Sequence, residues 1–133
     1  MIDIQKKYHF YAGHRNKEAG VKCGRLHGHT YDVIVHIKPD KLVNGIGILF
    51  SDIDSKIESI IKEYDHYLLL NENDSLCEVL EMANEPFIKL PFDTSAENMA
   101  IWLFTRIKTE TGLPITKIEL AETKSSNIIY EPN

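Results

Sequence analysis

His29-Thr-Tyr-Asp-Val-Ile-Val-His-Ile37 is the stretch that decides how this chain folds. His29, Tyr31, Val33, Val35 and Ile37 share one parity, and Thr30, Asp32, Ile34 and His36 share the other, which is the period-two signature of a half-buried strand. Residues 2–14 alternate in the same way: Ile2, Ile4, Tyr8, Phe10, Ala12 and His14 lie on one side, Asp3, Gln5, Lys7 and His9 on the other. A polar loop, residues 15–26, with Gly20 and Gly24, separates the two. Neighbouring strands joined by one loop pair most simply antiparallel. The end of the first strand then lies beside the start of the second, so His14 is expected near His27 and His29.

Further along, Pro39 stops the second strand, and Gly45-Ile-Gly-Ile-Leu-Phe50 reads as a short apolar strand ending at a Ser51-Asp52 helix cap. Ile53, Ile57, Ile60, Ile61 and Tyr64 recur at helical spacing and predict an amphipathic helix. Asp65-His66 follows at its end, then Leu68-Leu69-Leu70-Asn71. A short helix is expected around Ser75 to Ala83, and an extended piece between Pro86 and Pro91. Thr94-Ser95-Ala96-Glu97 matches a capping box and opens a second long helix, closed by Gly112 and Pro114. Residues 115–123 alternate again, with Ile118, Leu120 and Glu122 on one face, and Ile128 to Tyr130 reads as a last short strand. The expected architecture is α+β, one domain over residues 1–133: an antiparallel sheet with two main helices on one face.

Composition sets the function classes aside that do not fit. The 133 residues are 43% hydrophobic and 26% charged, the balance of a globular chain rather than a disordered one. Fifteen Lys and Arg against twenty Asp and Glu give a net charge of −5, which disfavours a nucleic-acid partner. The longest apolar run, Met99 to Phe104, is far short of the ~20 residues that a membrane helix needs. No apolar stretch follows Lys6-Lys7, so a secretory signal is not expected. Cys23 and Cys77 make no disulfide framework, and a cytoplasmic location is the default.

His27-Gly28-His29 puts two imidazoles on one side of an extended chain, within reach of one ion, and His14 supplies a third. Three histidines without a fourth protein ligand are the open arrangement of catalytic zinc, whereas structural zinc closes its shell, usually with thiolates. An isolated H-x-H pair is also what chance gives on a surface; the third histidine tips the balance to Zn2+. Cys23 lies in the loop between Lys22 and Arg25, where a cation favours the thiolate. That loop carries Arg15, Lys17, Lys22 and Arg25 against Glu18 alone, either as a solvated face or as a collar for an anionic substrate. Cys77, beside Leu76 and Leu80, reads as core. Asp65 can orient His66 and stabilise its protonated form, a pair suited to proton transfer. Glu122 on an inward parity needs a partner: a buried salt bridge, or a ligand presenting N–H donors. Glu97 is accounted for by the capping box and ranks below it.

Taken together these residues resemble the 6-pyruvoyl-tetrahydropterin synthase / 6-carboxy-tetrahydropterin synthase family. The match runs through Phe10-x-Ala12-x-His14-Arg15, Cys23-x-x-x-His27-Gly28-His29-x-Tyr31, Gly45 to Phe50, Asp65-His66 with Leu70-Asn71, Ser95-Ala96-Glu97-Asn98 and Glu122-Thr123. The resemblance implies a T-fold whose subunits join their sheets into a barrel, commonly as a homohexamer built as a dimer of trimers. It implies zinc on His14, His27 and His29, and Cys23 as the catalytic base, assisted by Asp65 and His66 from a neighbouring subunit. It makes Glu122 the pterin anchor, places Ser95 and Glu97 at further pterin contacts, and gives the collar headed by Arg15 a triphosphate to bind. The short spacer between Cys23 and His27 is similar to the bacterial queuosine-pathway enzymes, and Cys23 itself argues against the aldolase branch, which carries a glutamate there. The implied reaction converts 7,8-dihydroneopterin triphosphate to 6-carboxy-tetrahydropterin. The alternatives are 6-pyruvoyl-tetrahydropterin synthesis and a non-catalytic pterin- or metal-binding module. Two departures from the family pattern are Leu49, at a position usually acidic, and Thr94-Ser95 where Pro-Thr is usual.

Overall fold

The alternating stretches form the two longest strands. In the structure, a computed structural model that describes residues 1–133, β1 (Ile4–His14) and β2 (His27–Ile37) pair antiparallel along their whole length, from Ile4 opposite Ile37 to His14 opposite His27. The remaining elements are α1 (Phe50–Lys62), β3 (Tyr67–Asn71), α2 (Leu76–Met82), β4 (Ile88–Leu90), α3 (Ala96–Thr111), β5 (Ile115–Thr123) and β6 (Ser126–Tyr130). One six-stranded sheet runs in the order β4-β3-β1-β2-β5-β6. Phe10, Ala12, Tyr31, Val33, Val35, Ile118 and Leu120 face α1 (Ile53, Ile57, Ile60, Ile61) and α3 (Met99, Ala100, Leu103, Ile107) in one core. On the opposite face Lys7, His9, Tyr11, Thr30 and Asp32 are exposed. Both long helices therefore cover one face, as expected. No helix is long and apolar enough to cross a membrane.

Five local expectations are corrected. The sheet is mixed rather than antiparallel: β3 runs parallel to β1, and β4 parallel to β3. Parallel neighbours require a crossover connection, and α2 supplies it between β3 and β4. Gly45 to Phe50 is not a strand. Asn44 and Gly45 both have positive φ (53° and 79°), and the chain reverses on itself with Val43 and Ile46 exchanging hydrogen bonds. Phe50 already belongs to α1, whose cap is Leu49 with no side-chain acceptor, so Ser51-Asp52 lies inside the helix. At α3 the cap is Ser95, whose hydroxyl accepts from the Asn98 N–H at 3.2 Å; Glu97 is exposed in the first turn and closes no capping box with Thr94. Finally His36, on the solvent parity, is buried, because its two ring nitrogens meet Asp3 (2.9 Å) and Glu119 (2.5 Å).

Candidate metal centre and active site

The antiparallel register of β1 and β2 places three imidazoles at one end of the sheet. Ring centroids lie 4.6 Å apart for His14 and His27, 5.1 Å for His14 and His29, and 4.8 Å for His27 and His29. One ligand atom from each lies within 4.8 Å of the other two. The orientation is set from outside the cluster. The His14 Nδ1–H donates to the Thr94 carbonyl at 2.7 Å, and the His27 Nδ1–H donates to the Arg25 carbonyl at 2.7 Å. Each of those bonds fixes the tautomer and leaves Nε2 as a lone pair, the way metal-binding histidines are commonly oriented by a backbone carbonyl. Nε2 of His14 and Nε2 of His29 are both buried without a hydrogen-bond partner. Burial pushes the His14 pKa down to about 4, and burial also lowers that of His29, so both rings are neutral near pH 7. Neutral imidazoles with inward lone pairs are the donor set a borderline-soft divalent ion such as zinc takes.

Glu122 stands beside two of the three rings. Its position two residues beyond Leu120 on β5 carries its carboxylate to the same end of the sheet, with Oε1 3.8 Å from His14 Nε2 and Oε2 3.5 Å from His29 Nε2. Tyr31, one step further into the core, is fully buried against Phe10 (ring centroids 4.7 Å, nearly parallel), and its hydroxyl has no partner.

Asp65 and His66 form a second cluster on the β1 edge. Asp65 Oδ1 accepts from the Tyr11 backbone N–H and Oδ2 from the His66 Nδ1–H, both at 2.9 Å. The Tyr11 N–H, then the His66 contact, hold the Asp65 carboxyl below the usual carboxylate range. His66 takes a left-handed backbone (φ 67°), which lets its own N–H reach the Tyr11 carbonyl at 2.6 Å. Its ring stays largely exposed and lines, with His29, Tyr11, Gly13 and Gly28, a groove of about 510 Å³.

Cys23 is exposed in the loop between β1 and β2. The Asn16 N–H donates to its carbonyl at 2.8 Å, and the loop is tight at Gly24, where a Cβ would meet the Gly20 carbonyl oxygen at 2.7 Å. No hydrogen bond within the chain joins Cys23 to Asp65 or His66. Arg15 is not a free member of the basic collar: its guanidinium grips Asp74 with Nε to Oδ2 at 2.9 Å and Nη2 to Oδ1 at 2.5 Å. Lys17, Lys22 and Arg25 remain exposed. Cys77 is buried, as expected for a core residue.

With this geometry in hand, the chain can be set beside known proteins. A family model described as 6-pyruvoyl tetrahydropterin synthase matches residues 3–133. The chain belongs to that family. Among relatives of this chain, the 6-carboxy-5,6,7,8-tetrahydropterin synthase of Haemophilus influenzae is 34% identical over 140 aligned residues, covering 98% of this chain and 99% of that protein. The protein of the same name from Synechocystis is 31% identical over 134 residues, 96% and 91% of the two chains. In fold, it is similar to an uncharacterized protein from Wolinella succinogenes (TM-score 0.82, 21% identity, 99% and 98% of the two chains) and to Caenorhabditis elegans 6-pyruvoyl tetrahydropterin synthase (TM-score 0.73, 20% identity, 99% and 96%). The α+β T-fold of the family is thus the fold of this chain.

Three residues enter the site in ways that the sequence reading did not indicate. Thr94 orients His14 through its backbone carbonyl, a role that leaves no mark on side-chain identity. Asp74 neutralises Arg15 from 59 residues away in sequence. The inward parity of Tyr31 marked it as core, and nothing in the alternation told a partnered hydroxyl from a bare one.

Proposed function

We propose that this protein is a zinc-dependent 6-carboxy-5,6,7,8-tetrahydropterin synthase, a lyase that converts 7,8-dihydroneopterin triphosphate and one water to 6-carboxy-tetrahydropterin, acetaldehyde and triphosphate. The observation that carries the reading is the convergence of His14, His27 and His29, with Nε2 of His14 and of His29 buried and without a hydrogen-bond partner. The names of the Haemophilus and Synechocystis relatives support the choice of product. Zinc held by the three imidazoles supplies Lewis-acid polarisation of the oxygens on the substrate side chain.

The remaining work falls to this chain's own groups. The Cys23 thiolate takes a proton from the substrate side chain. His66, held by the Asp65 carboxylate through Nδ1, presents Nε2 to solvent and the groove, where it returns or relays a proton. Glu122 offers its carboxylate to N–H or O–H donors of the bound pterin, and Ser95 and Glu97, at the open start of α3, make further contacts. Lys17, Lys22 and Arg25 attract the triphosphate, with Arg15 joining only when it leaves Asp74. The proposal completes the active site from a neighbouring subunit, in a homohexamer of two trimers whose sheets close into a barrel. A single domain spanning 1–133, a cytoplasmic setting and service to queuosine synthesis complete the proposal.

Incubating the zinc-loaded protein with 7,8-dihydroneopterin triphosphate and identifying products by mass tests it. Acetaldehyde and 6-carboxy-tetrahydropterin in equal amounts are expected. Triphosphate release without acetaldehyde would make it a 6-pyruvoyl-tetrahydropterin synthase, and binding without turnover a pterin-binding module.

A further inference from the structure

Donor capture alone does not explain the place of the Glu122 carboxylate. Its two oxygens stand 3.8 and 3.5 Å from Nε2 of His14 and Nε2 of His29. Both separations exceed the normal range for a hydrogen bond. His14 Nε2 cannot donate in any case, because its Nδ1–H is committed to the Thr94 carbonyl. A carboxylate facing an imidazole lone pair is repelled unless a cation lies between them. For ligand bonds of about 2.0–2.2 Å around tetrahedral zinc, neighbouring ligand atoms stand roughly 3.3–3.5 Å apart; Oε2 stands at that edge length from His29 and Oε1 slightly beyond it from His14, so a small rotation of the carboxylate brings one oxygen to the ion.

From this arrangement we infer that Glu122 is the fourth ligand of the ion held by His14, His27 and His29 when no substrate is present, and that the bound pterin takes its place. The inference rests on the metal reading proposed above and adds an exchange to it. Charge favours the ligation: three neutral imidazoles leave a divalent ion uncompensated beside the buried His14, and one carboxylate halves its net charge. The departure is equally well provided for. Glu122 accepts no hydrogen bond from any other residue, its side chain is 27% exposed, and the β5–β6 ladder shifts register between Leu120 and Thr123, beside it. A carboxylate with no second anchor moves at the cost of one ligand bond, and once displaced it is free to accept donors from the ligand that displaced it. One residue thereby caps the ion against water and holds the incoming pterin.

The test uses zinc affinity by chelator competition and the visible spectrum of the cobalt-loaded protein, both independent of turnover. Glu122→Gln, close in size, is expected to bind zinc at least about tenfold more weakly and to change the cobalt ligand-field bands. In the wild-type cobalt protein, neopterin, which lacks the triphosphate, is expected to shift the same bands as it saturates. Zinc affinity and cobalt bands unchanged in Glu122→Gln would overturn the ligation. Wild-type bands unmoved at neopterin saturation would overturn the exchange without involving any variant. A wild-type protein that takes up no zinc would instead bring down the metal reading itself, and this inference with it.

Discussion

Removing Asp74 separates two roles for Arg15. Asp74 holds both Nε and Nη2 of Arg15 and also accepts the Leu76 N–H at 2.8 Å, at the start of α2. The aspartate side chain is 7% exposed and the arginine 17%, so the pair is mostly withdrawn from water. The Arg15 hydrogen bond, against an opposing burial effect, keeps the Asp74 carboxyl below its ordinary range. Breaking a buried pair by removing one partner costs about 3–5 kcal/mol; the partial exposure on the arginine side brings the expectation for Asp74→Asn to roughly 2–3 kcal/mol. For a chain of this length that is a fall in Tm of about 6–10 °C. The double variant Arg15→Met/Asp74→Asn no longer strands a charge and is expected to regain part of the loss. Thermal denaturation by circular dichroism, at one protein concentration, measures all corners of the cycle. A shift under about 1 °C for Asp74→Asn would refute the clamp. Substrate kinetics then decide the second role: if Arg15 serves only as a clamp, Arg15→Met leaves KM for the triphosphate substrate unchanged, whereas a tenfold rise in KM would return Arg15 to the collar.

Acid should weaken the fold through the carboxylates that the structure holds low. His36 above all keeps Glu119 below its usual range, as Arg15 does Asp74; their contribution is complete above the unfolded carboxylate values of about 4 and is lost as pH falls through the lower folded values. Glu119→Gln is expected to flatten that acid limb in Tm against pH, and an unchanged limb would count against the His36 contact. Leu49→Asp should raise Tm by about 2–3 °C, because α1 lacks a side-chain cap and an acidic acceptor there is worth about 0.5–1 kcal/mol; no gain would mean that the reversed 43–46 turn prevents capping geometry. Cys23→Ala should abolish turnover while zinc content by atomic emission stays at the wild-type level, since the sulfur lies outside the histidine cluster; full activity would remove Cys23 from the proton transfer.

How far the fold could be read depended on how much repetition each segment carries. β1 and β2 alternate over long stretches, and their antiparallel pairing across one loop was enough to bring His14 near His27 and His29; alternation fixes the face and not the register, so the opposition of His14 to His27 is a finding of the structure. β3 and β4 are five and three residues long, and short apolar runs hold no information on strand direction. Their parallel pairing comes from the crossover through α2. The stretch from Val43 to Phe50 misleads because its aliphatic residues suggest a strand, while the positive φ of Asn44 and Gly45 turns the chain back. The capping box slipped by one residue: the Thr94 carbonyl accepts from His14 and its hydroxyl donates to Asn16, while the Ser95 hydroxyl does the capping.

The site owes its place to three strands changing character at the same end. On the helix-facing side β1 reads Phe10, Ala12, His14; β2 in the opposite direction reads Val33, Tyr31, His29, His27; β5 reads Ile118, Leu120, Glu122. Each row is apolar beneath α1 and α3 and turns to metal-ligating or carboxylate chemistry at its last inward positions. Such groups crowded at one buried edge would destabilise the fold if left to themselves. On the proposed reading a divalent ion would offset that cost, since the Nε2 atoms of His14 and His29 and the Glu122 carboxylate would each gain a partner that the protein does not provide. The same residues would then be a weak point of the metal-free fold and the source of its chemistry, and the parity that places them inward is the parity that builds the core.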